Sequence, residues 1–271
     1  MNCPRKVELN RYRALVAYDG TDFQGFQRLS PGARSVQGTL EAALKRLSGI
    51  ETIVLGAGRT DAGVHATGQV ISFEVAWRHS TESLTRALNA LLPTDIAVRE
   101  VEQTVPTFHP RYDALSRVYV YRVYVSEVRV PLLARTAWHL RATPDWEIMN
   151  RAAAMLIGSH DFASFGNPPR GERGTTYRHL IQAAWAEAPA QFGAKMAIFT
   201  VEANAFLYRM VRTLTGALVE IGTGRLSLNE FDGIFRARDR GLIGALAPAH
   251  GLTLVEVKYA RETPAENTEK D

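Results

Sequence analysis

The sequence predicts an α+β fold built from two similar halves. Amphipathic helices alternate with short strands, and successive strands often follow one another without an intervening helix, a pattern typical of largely antiparallel sheets. With 271 residues, of which 46% are apolar, the chain is long enough to bury a sizeable core. We therefore expect two pseudo-symmetric, ferredoxin-like α/β subdomains, over residues 1–112 and 113–260, whose sheets meet at a central basic cleft.

The first half is predicted to follow the order βαββαβ. Its elements are a strand over 11–18, a helix over 35–49, strands over 52–55 and 68–73, a helix over 80–92 and a strand over 96–102. Ser35 is a good N-cap, Gly49 ends the helix that follows, and Pro93 stops the second helix. We expect both helices on one face of the antiparallel sheet.

The second half partly repeats this order. Its elements are a strongly alternating strand over 113–125, a helix over 143–157, strands over 178–186 and 195–203, a helix over 206–221, a short helix and a closing strand over 251–259. Ser227 and Glu230 form a capping box for the short helix. Residues 166–174 are predicted to be an exposed loop and residues 261–271 a disordered polar tail. No flexible linker separates the halves, so a continuous sheet is also compatible with the sequence.

A glycine-rich segment over 56–70, GAGRTDAGVHATGQV, carries one carboxylate at its centre, Asp61. Strand patterns lie on both sides of it, so Asp61 is expected on a loop that another molecule's backbone can approach closely. A tight turn in which Asp61 bonds only its own backbone is the alternative. Arg59 and His65 favour the functional interpretation, because a simple turn requires neither.

Positive charge is unevenly distributed along the chain. The sequence pI is about 9.3. Between His109 and Arg141, two acids face six arginines, namely Arg111, Arg117, Arg122, Arg129, Arg135 and Arg141. Because guanidinium groups suit phosphate oxygens and stack on bases, a nucleic acid is the expected partner, with solvated strand faces as the alternative. Arg170 and Arg173 of the predicted loop are either phosphate contacts or solvated.

Several classes of protein are disfavoured by the sequence. No apolar run approaches the roughly 18 residues that span a membrane, and the first ten residues lack the apolar region of a signal peptide. A single cysteine, Cys3, excludes an internal disulfide, so we expect a cytoplasmic protein. Neither a dinucleotide-binding GxGxxG nor a Walker motif is present, and the histidines lack metal-ligand spacing. We predict no cofactor and no metal.

Several motifs together resemble one known family, the tRNA pseudouridine synthase A family. The motifs are GRTDAGVHATGQV at 58–70, RVYVY at 117–121, ANAFLYRMVR at 203–212, YDG at 18–20, FQGFQ at 23–27, FH at 108–109, GSHDF at 158–162 and PAHGL at 248–252. The likeness covers residues 10 to 260. Phe26 stands where many relatives carry tryptophan, and the loop over 166–174 shows no useful likeness.

The resemblance implies a cofactor-free isomerase. Members convert uridine to pseudouridine at positions 38, 39 and 40 of the tRNA anticodon arm, by breaking the N1–C1′ bond and joining C5 to C1′. The target base must first be flipped out of its stack. The likeness also implies a homodimer in which two subunits together hold one tRNA.

The same resemblance assigns roles to four residues. Asp61 is the carboxylate beside the sugar, acting either as a nucleophile on sugar or base or as a base toward a sugar proton. Arg212 is its guanidinium partner, which favours the ionised form, or else an ordinary helix-surface residue. Tyr119 lies against the target base, or else belongs to the core, and Arg59 assists flipping. His65 fits a structural role better than that of a proton shuttle.

Two other functions remain open from the residues alone. An RNA-binding module without chemistry would need only the basic strands and aromatic residues, but it gains nothing from an anion facing phosphates. A carboxylate-dependent hydrolase would pair Asp61 with Asp19 or Asp22, or with a metal, and the motif supplies neither.

Overall fold

The computed structural model describes residues 9–29, 32–167, 175–244 and 246–260. Cys3, the predicted tail over 261–271, and Arg170 and Arg173 of the predicted loop lie outside the described residues. Within the described ranges, no helix is both long enough and apolar enough to cross a membrane.

Ten strands and five α-helices make up the described fold. The strands are β1 (Asn10–Tyr18), β2 (Leu55–Gly56), β3 (His65–Val75), β4 (Ile96–Gln103), β5 (Ala114–Val125), β6 (Trp138–Leu140), β7 (Gly158–Asp161), β8 (Tyr177–Gln191), β9 (Ala194–Ala203) and β10 (Leu252–Tyr259). The helices are α1 (Val36–Ser48), α2 (Thr81–Leu91), α3 (Trp146–Ala154), α4 (Met210–Gly222) and α5 (Leu228–Ala237). The predicted α+β class is confirmed.

Local capping signals place the helix ends as the sequence predicts. The Ser35 side chain accepts a hydrogen bond from the Gly38 amide, and Gly49 ends α1 in the left-handed conformation at φ 74°. At α5, Ser227 and Glu230 form both hydrogen bonds of the predicted capping box. Each cap satisfies backbone groups that the first or last turn leaves without a partner.

All ten strands belong to one sheet, which joins the two halves of the chain. Its order is β4-β1-β3-β10-β5-β9-β8-β7, with β2 beside β3 and β6 beside β5. Only the β10–β3 and β5–β6 pairs are parallel, so the predicted largely antiparallel sheet is confirmed. The last strand, β10, lies between the halves, because it pairs with β3 on one side and β5 on the other.

This placement of β10 brings distant segments of the chain together. Leu254 is in register with Ala66 of β3 and with Tyr119 of β5. The approach to β3 is close: a Cβ on Gly68 would lie 2.0 Å from the Val255 carbonyl oxygen. The loop that precedes β3, which carries Asp61, is therefore held beside the strand that carries Tyr119.

The structure differs from the predicted elements at several places. The helix predicted over 143–157 is shorter, Trp146–Ala154, because the Asp145 side chain caps it by accepting from the Glu147 and Ile148 amides. Helix α4 begins at Met210 rather than Phe206, because the Tyr208 amide bonds the Asn167 carbonyl and Arg209 adopts φ 61°. Strands β6 and β7 were not predicted, since three or four residues are too short to show an alternating pattern. The strand expected over 52–55 is instead the two-residue β2.

Candidate active site

The loop between β2 and β3, residues 57–64, is named here the Asp61 loop. It is held by hydrogen bonds from outside itself. The Phe26 amide donates to the Thr60 carbonyl at 3.0 Å. The Gln69 side chain donates to the Gly58 carbonyl at 2.8 Å and accepts from the Gly58 amide at 3.3 Å. The backbone that leads to Asp61 therefore has a fixed position, as catalysis requires.

A neighbouring segment packs against the Asp61 loop so closely that it needs glycine. Gly25 has φ 102°, and a Cβ there would lie 2.9 Å from the Thr60 carbonyl oxygen. Gly63 turns the loop itself at φ 78°. The φ angle of Gly63 agrees with the positive φ expected for a glycine of this loop, whereas Gly25 lies outside the predicted segment and packs on the loop from within the same chain.

Asp61 and Arg212 form an ion pair with little access to solvent. Arg212 Nη1 donates to Asp61 Oδ2 at 3.0 Å. The Arg212 side chain is 12% exposed and the Asp61 side chain is 18% exposed. Arg212 Nε also donates to the Ala247 carbonyl at 2.9 Å, and the Ala247 amide returns a bond to the Arg212 carbonyl at 3.1 Å. Because this guanidinium is fixed from two sides, the carboxylate is held in one orientation, and limited solvent access weakens screening by salt.

The two alternatives for these residues are less consistent with the geometry. Among the described residues, the Asp61 side chain bonds Arg212 and makes no hydrogen bond to its own loop, unlike the aspartate of an Asx-turn. Arg212 lies on α4 but is not a solvated surface arginine, since its guanidinium is engaged with Asp61 and Ala247.

Tyr119 lies beside the Asp61 loop in a packed environment. Its ring meets the Phe206 ring edge-on at 5.2 Å, and a Cβ on Gly58 would be 3.7 Å from its hydroxyl. The side chain is 8% exposed, as a core tyrosine would be. Burial raises the pKa of the Tyr119 hydroxyl above its usual value, and the charge on Asp61 acts in the same direction, so the hydroxyl is neutral at pH 7.

Arg59 stands on the same loop with its side chain exposed. Within the part of the chain that the structure describes, it makes no hydrogen bond and no ion pair. Its guanidinium is therefore available to an anionic partner next to Asp61.

Arg117 is a supporting residue that the sequence analysis did not single out. The side chain is buried, and it donates to the Ala57 carbonyl at 3.1 Å, the Asn204 carbonyl at 2.8 Å, the Ala114 carbonyl at 3.3 Å and the Arg111 carbonyl. Burial lowers the pKa of this guanidinium. One side chain thus joins the Asp61 loop, the turn before β5 and the segment after β9.

Strand alternation aligns Arg117 with two tyrosines on one face of β5. Residues 117, 119 and 121 project to the same side, because strand side chains alternate with a period of two. Tyr121 is fully buried, and its hydroxyl donates to the Pro248 carbonyl at 2.8 Å, next to the residue that fixes Arg212. The signal in the sequence is the spacing of two residues between Arg117, Tyr119 and Tyr121, which places one cation and two tyrosines on the same face of β5.

His65 is engaged on both ring nitrogens. Nδ1 accepts a hydrogen bond from the Gly20 amide at 3.0 Å, and Nε2 lies 3.0 Å from the His250 carbonyl, to which it must donate. Nδ1 also lies 3.1 Å from the Asp19 carboxylate. With 6% exposure, His65 is consistent with the structural role expected for it.

Asp19 and Asp22, the candidate second carboxylates of a hydrolase, both lie near a cation, Arg135. Arg135 lies 3.0 Å from the Asp22 carboxylate and 3.7 Å from that of Asp19. Across the described ranges, no group of three or more His, Cys, Asp or Glu side chains is arranged to hold a metal ion. The paired carboxylates or metal centre that a hydrolase would need are not found among these residues.

Comparison with known sequences identifies the family. The sequence model of a family described as tRNA pseudouridine synthase matches residues 14–113 and 152–260. The chain belongs to the tRNA pseudouridine synthase family. The first matched segment contains the Asp61 loop, and the second contains Arg212.

Relatives named tRNA pseudouridine synthase A match nearly the whole chain. The protein of Moorella thermoacetica is 44% identical over 91% of this chain and 98% of its own length. Those of Chloroflexus aurantiacus and Thermotoga neapolitana are 40% and 39% identical, over 90% and 93% of this chain and 87% and 100% of their own lengths. A solved structure, "Crystal Structure of a Cbf5-Nop10-Gar1 Complex", matches over 90% of this chain and 58% of its own, with 12% identity and a TM-score of only 0.31.

For this synthase, we expect Arg212→Lys to lower kcat about 10- to 100-fold with little change in KM. A lysine ammonium is a single point charge and cannot bond both Asp61 and the Ala247 carbonyl in the geometry of the guanidinium. Tritium release from C5-labelled uridine measures the effect. Arg236→Lys is the matched control, because Arg236 is 79% exposed and pairs only along its own helix with Asp232. An unchanged kcat for Arg212→Lys would show that simultaneous bonding of Asp61 and the Ala247 carbonyl is unimportant.

Proposed function

We propose that the chain isomerises uridine to pseudouridine at positions 38, 39 and 40 of the tRNA anticodon stem-loop, with Asp61 as the essential catalytic group. The observation that carries the proposal is the Asp61–Arg212 ion pair on a fixed loop within the matched family segments. The substrate class follows from the family, and the choice of uridines follows from the resemblance of the motifs.

The reaction requires little more than a charged carboxylate in a dry, fixed site. The N1–C1′ bond breaks, the uracil turns over, and C5 joins C1′; the C5 proton is released and N1 gains a proton, so no electrons are exchanged. Asp61 either adds to the sugar or base, or removes a proton from the sugar. In both routes Arg212 holds the carboxylate in one orientation through their ion pair.

Tyr119 and Arg59 complete the proposed site. The Tyr119 ring packs against the target uracil once the nucleotide has left its stack, and Arg59 takes part in the flipping. Supporting observations are the position of the Tyr119 hydroxyl beside Gly58 and the unpaired, exposed guanidinium of Arg59 next to Asp61. Flipping costs a few kcal/mol, which contacts to the extruded nucleotide must offset.

A protein that only binds RNA is the second candidate, and one observation disfavours it. A carboxylate in a poorly solvated ion pair weakens attraction to phosphate and costs desolvation energy, so a binding surface gains nothing from Asp61. Pairing of Asp19 and Asp22 with Arg135 likewise disfavours a two-carboxylate hydrolase.

Mapping of pseudouridine tests the proposal. Anticodon-arm RNAs that contain a single uridine, at position 38, 39 or 40, are incubated with the protein, and a fourth RNA carries its only uridine at another position. We expect pseudouridine in the first three RNAs and none in the fourth. Absence of pseudouridine from all four would overturn the activity, whereas modification of the fourth would overturn only the proposed choice of positions.

Tyr119→Phe should retain most RNA affinity, because the ring that faces the base remains. We expect Kd to change by less than about threefold, since the hydroxyl makes no hydrogen bond within the described ranges. Titration with labelled anticodon-arm RNA measures Kd. A complete loss of affinity would instead assign the hydroxyl a role in positioning the RNA.

We also propose that each chain has two pseudo-symmetric subdomains, divided near residue 112, which form a basic cleft. We propose further that the protein is a homodimer and is located in the cytoplasm. The element order of each half supports the two subdomains, which one sheet joins at β10. The homodimer follows from the family resemblance. We expect sedimentation equilibrium to give twice the chain mass of 30.0 kDa. A monomer with full turnover would refute the dimer and leave the reaction intact.

A further inference from the structure

Two exposed tyrosines lie on segments that border the Asp61 loop, and neither has a role in the site described above. Tyr112 is 69% exposed and Tyr208 is 54% exposed. An arginine lies over each ring: the Arg111 guanidinium carbon is 5.6 Å from the Tyr112 centroid, and that of Arg209 is 4.9 Å from the Tyr208 centroid. We call Tyr112 and Tyr208, with the two arginines, the aromatic rim.

The turn that carries Tyr112 is rigid despite the exposure of its ring. The His109 ring packs on the Tyr112 ring at 4.3 Å. His109 Nδ1 also accepts hydrogen bonds from the Arg111 and Tyr112 amides, at 3.1 and 3.4 Å. The Tyr259 hydroxyl donates to the Pro110 carbonyl at 2.7 Å and anchors the turn to β10. A ring held in one orientation loses little conformational entropy when it binds a flat partner.

Tyr208 is fixed by a different set of contacts. Its amide donates to the Asn167 carbonyl at 3.0 Å, and Arg209, with φ 61°, directs the chain into α4. Two residues earlier on the same segment, the Phe206 ring meets Tyr119. The segment that presents Tyr208 to solvent therefore also lines the site.

Arg117 connects both parts of the aromatic rim to the Asp61 loop. Its guanidinium donates to the Arg111 carbonyl beside Tyr112, to the Asn204 carbonyl at the start of the Tyr208 segment, and to the Ala57 carbonyl of the Asp61 loop. Because one guanidinium bonds all three backbones, these segments meet within a few ångströms. The backbone segments that carry Tyr112 and Tyr208 therefore both border the Asp61 loop.

We propose that the aromatic rim binds the RNA nucleotides on either side of the target uridine, by stacking Tyr112 and Tyr208 on their bases. The proposal rests on the proposed function for its ligand. When a nucleotide is extruded, its neighbours lose a stacking partner, and an aromatic side chain can replace it. The Arg209 guanidinium beside the Tyr208 ring suits an occupant that brings phosphates together with bases.

The test compares Tyr112→Ser, Tyr208→Ser and Tyr112→Phe with a matched control, Phe192→Ser. Phe192 is 63% exposed at the turn between β8 and β9, outside the rim. Each serine variant of the rim should weaken Kd for anticodon-arm RNA about 5- to 100-fold, whereas Tyr112→Phe and the control should remain within twofold. The slope of log Kd against log salt should not change, because no charge is removed.

Fluorescence of 2-aminopurine gives a second readout, which would not change if Tyr112 and Tyr208 only stabilised the fold. The fluorophore replaces the base on either side of the target uridine, and stacking quenches its emission. We expect quenching on binding to the wild-type protein, and its loss at one neighbour in each serine variant at saturating protein. If Tyr112→Ser and Tyr208→Ser bind the RNA and quench the fluorophore as the wild type does, the proposed stacking of the aromatic rim on the flanking bases is refuted. Wild-type turnover on the same RNA is measured in parallel, so failure of the proposed function would be recognised separately.

Discussion

Asp61→Asn is expected to abolish tritium release from C5-labelled uridine in tRNA. The amide is nearly isosteric with the carboxylate, so the loop should keep its shape, but it carries no charge and can act neither as nucleophile nor as base. We expect kcat to fall at least about 10³-fold, the scale at which enzymes lose rate when such a group is removed. Single-turnover measurements with excess protein separate this loss from any change in binding.

RNA affinity of the Asp61→Asn variant should survive or increase slightly. Removal of the carboxylate leaves Arg212 without its anionic partner and adds one net positive charge near the RNA phosphates. Asp232→Asn is a suitable control, because it also removes one carboxylate that pairs with an arginine, but on α5. Full turnover by Asp61→Asn would eliminate the proposed role of Asp61, whatever its affinity for RNA.

The parts of the site that sequence could predict depend on short-range signals. The glycines of the Asp61 loop, the Ser35 cap and the Ser227 capping box specify local backbone geometry, and they appear in the structure as expected. Alternation along β5 likewise placed Tyr119 and Tyr121 on one face. The pairing of Asp61 with Arg212 came from family resemblance, since no local pattern relates residues 151 positions apart.

The parts that sequence could not predict depend on contacts between distant segments. Placement of β10 between β3 and β5 is decided by pairing across the chain, which a strand pattern over 251–259 does not encode. Helix α4 begins later than its apolar periodicity suggests, because the Tyr208 amide bonds Asn167 instead of continuing a helix. For the same reason Arg117 was predicted only as one of six arginines that could bind nucleic acid and as part of the motif RVYVY, although its partners are carbonyls in three separate segments.

Arg117→Ala is expected to reduce both stability and activity. The substitution deprives the Ala57, Asn204 and Arg111 carbonyls of their shared donor, and each buried acceptor left unsatisfied costs about 1–3 kcal/mol unless water replaces the guanidinium. Because Ala57 begins the Asp61 loop, we expect kcat to fall about 10- to 100-fold while KM changes less than threefold. Thermal unfolding and tritium release measure the two effects.

Chemical rescue separates a positioning role of Arg117 from a purely structural one. Guanidinium ion, added at concentrations on the order of ten millimolar that leave the fold intact, can occupy the space left by Arg117→Ala and restore the lost donors. We expect it to recover much of kcat in that variant but none in Asp61→Asn, which keeps its own Arg117. Arg117→Lys should remain impaired, because one ammonium cannot reach carbonyls in three directions. If Arg117→Ala lowers the unfolding temperature while kcat stays at the wild-type value, Arg117 stabilises the fold without positioning Asp61.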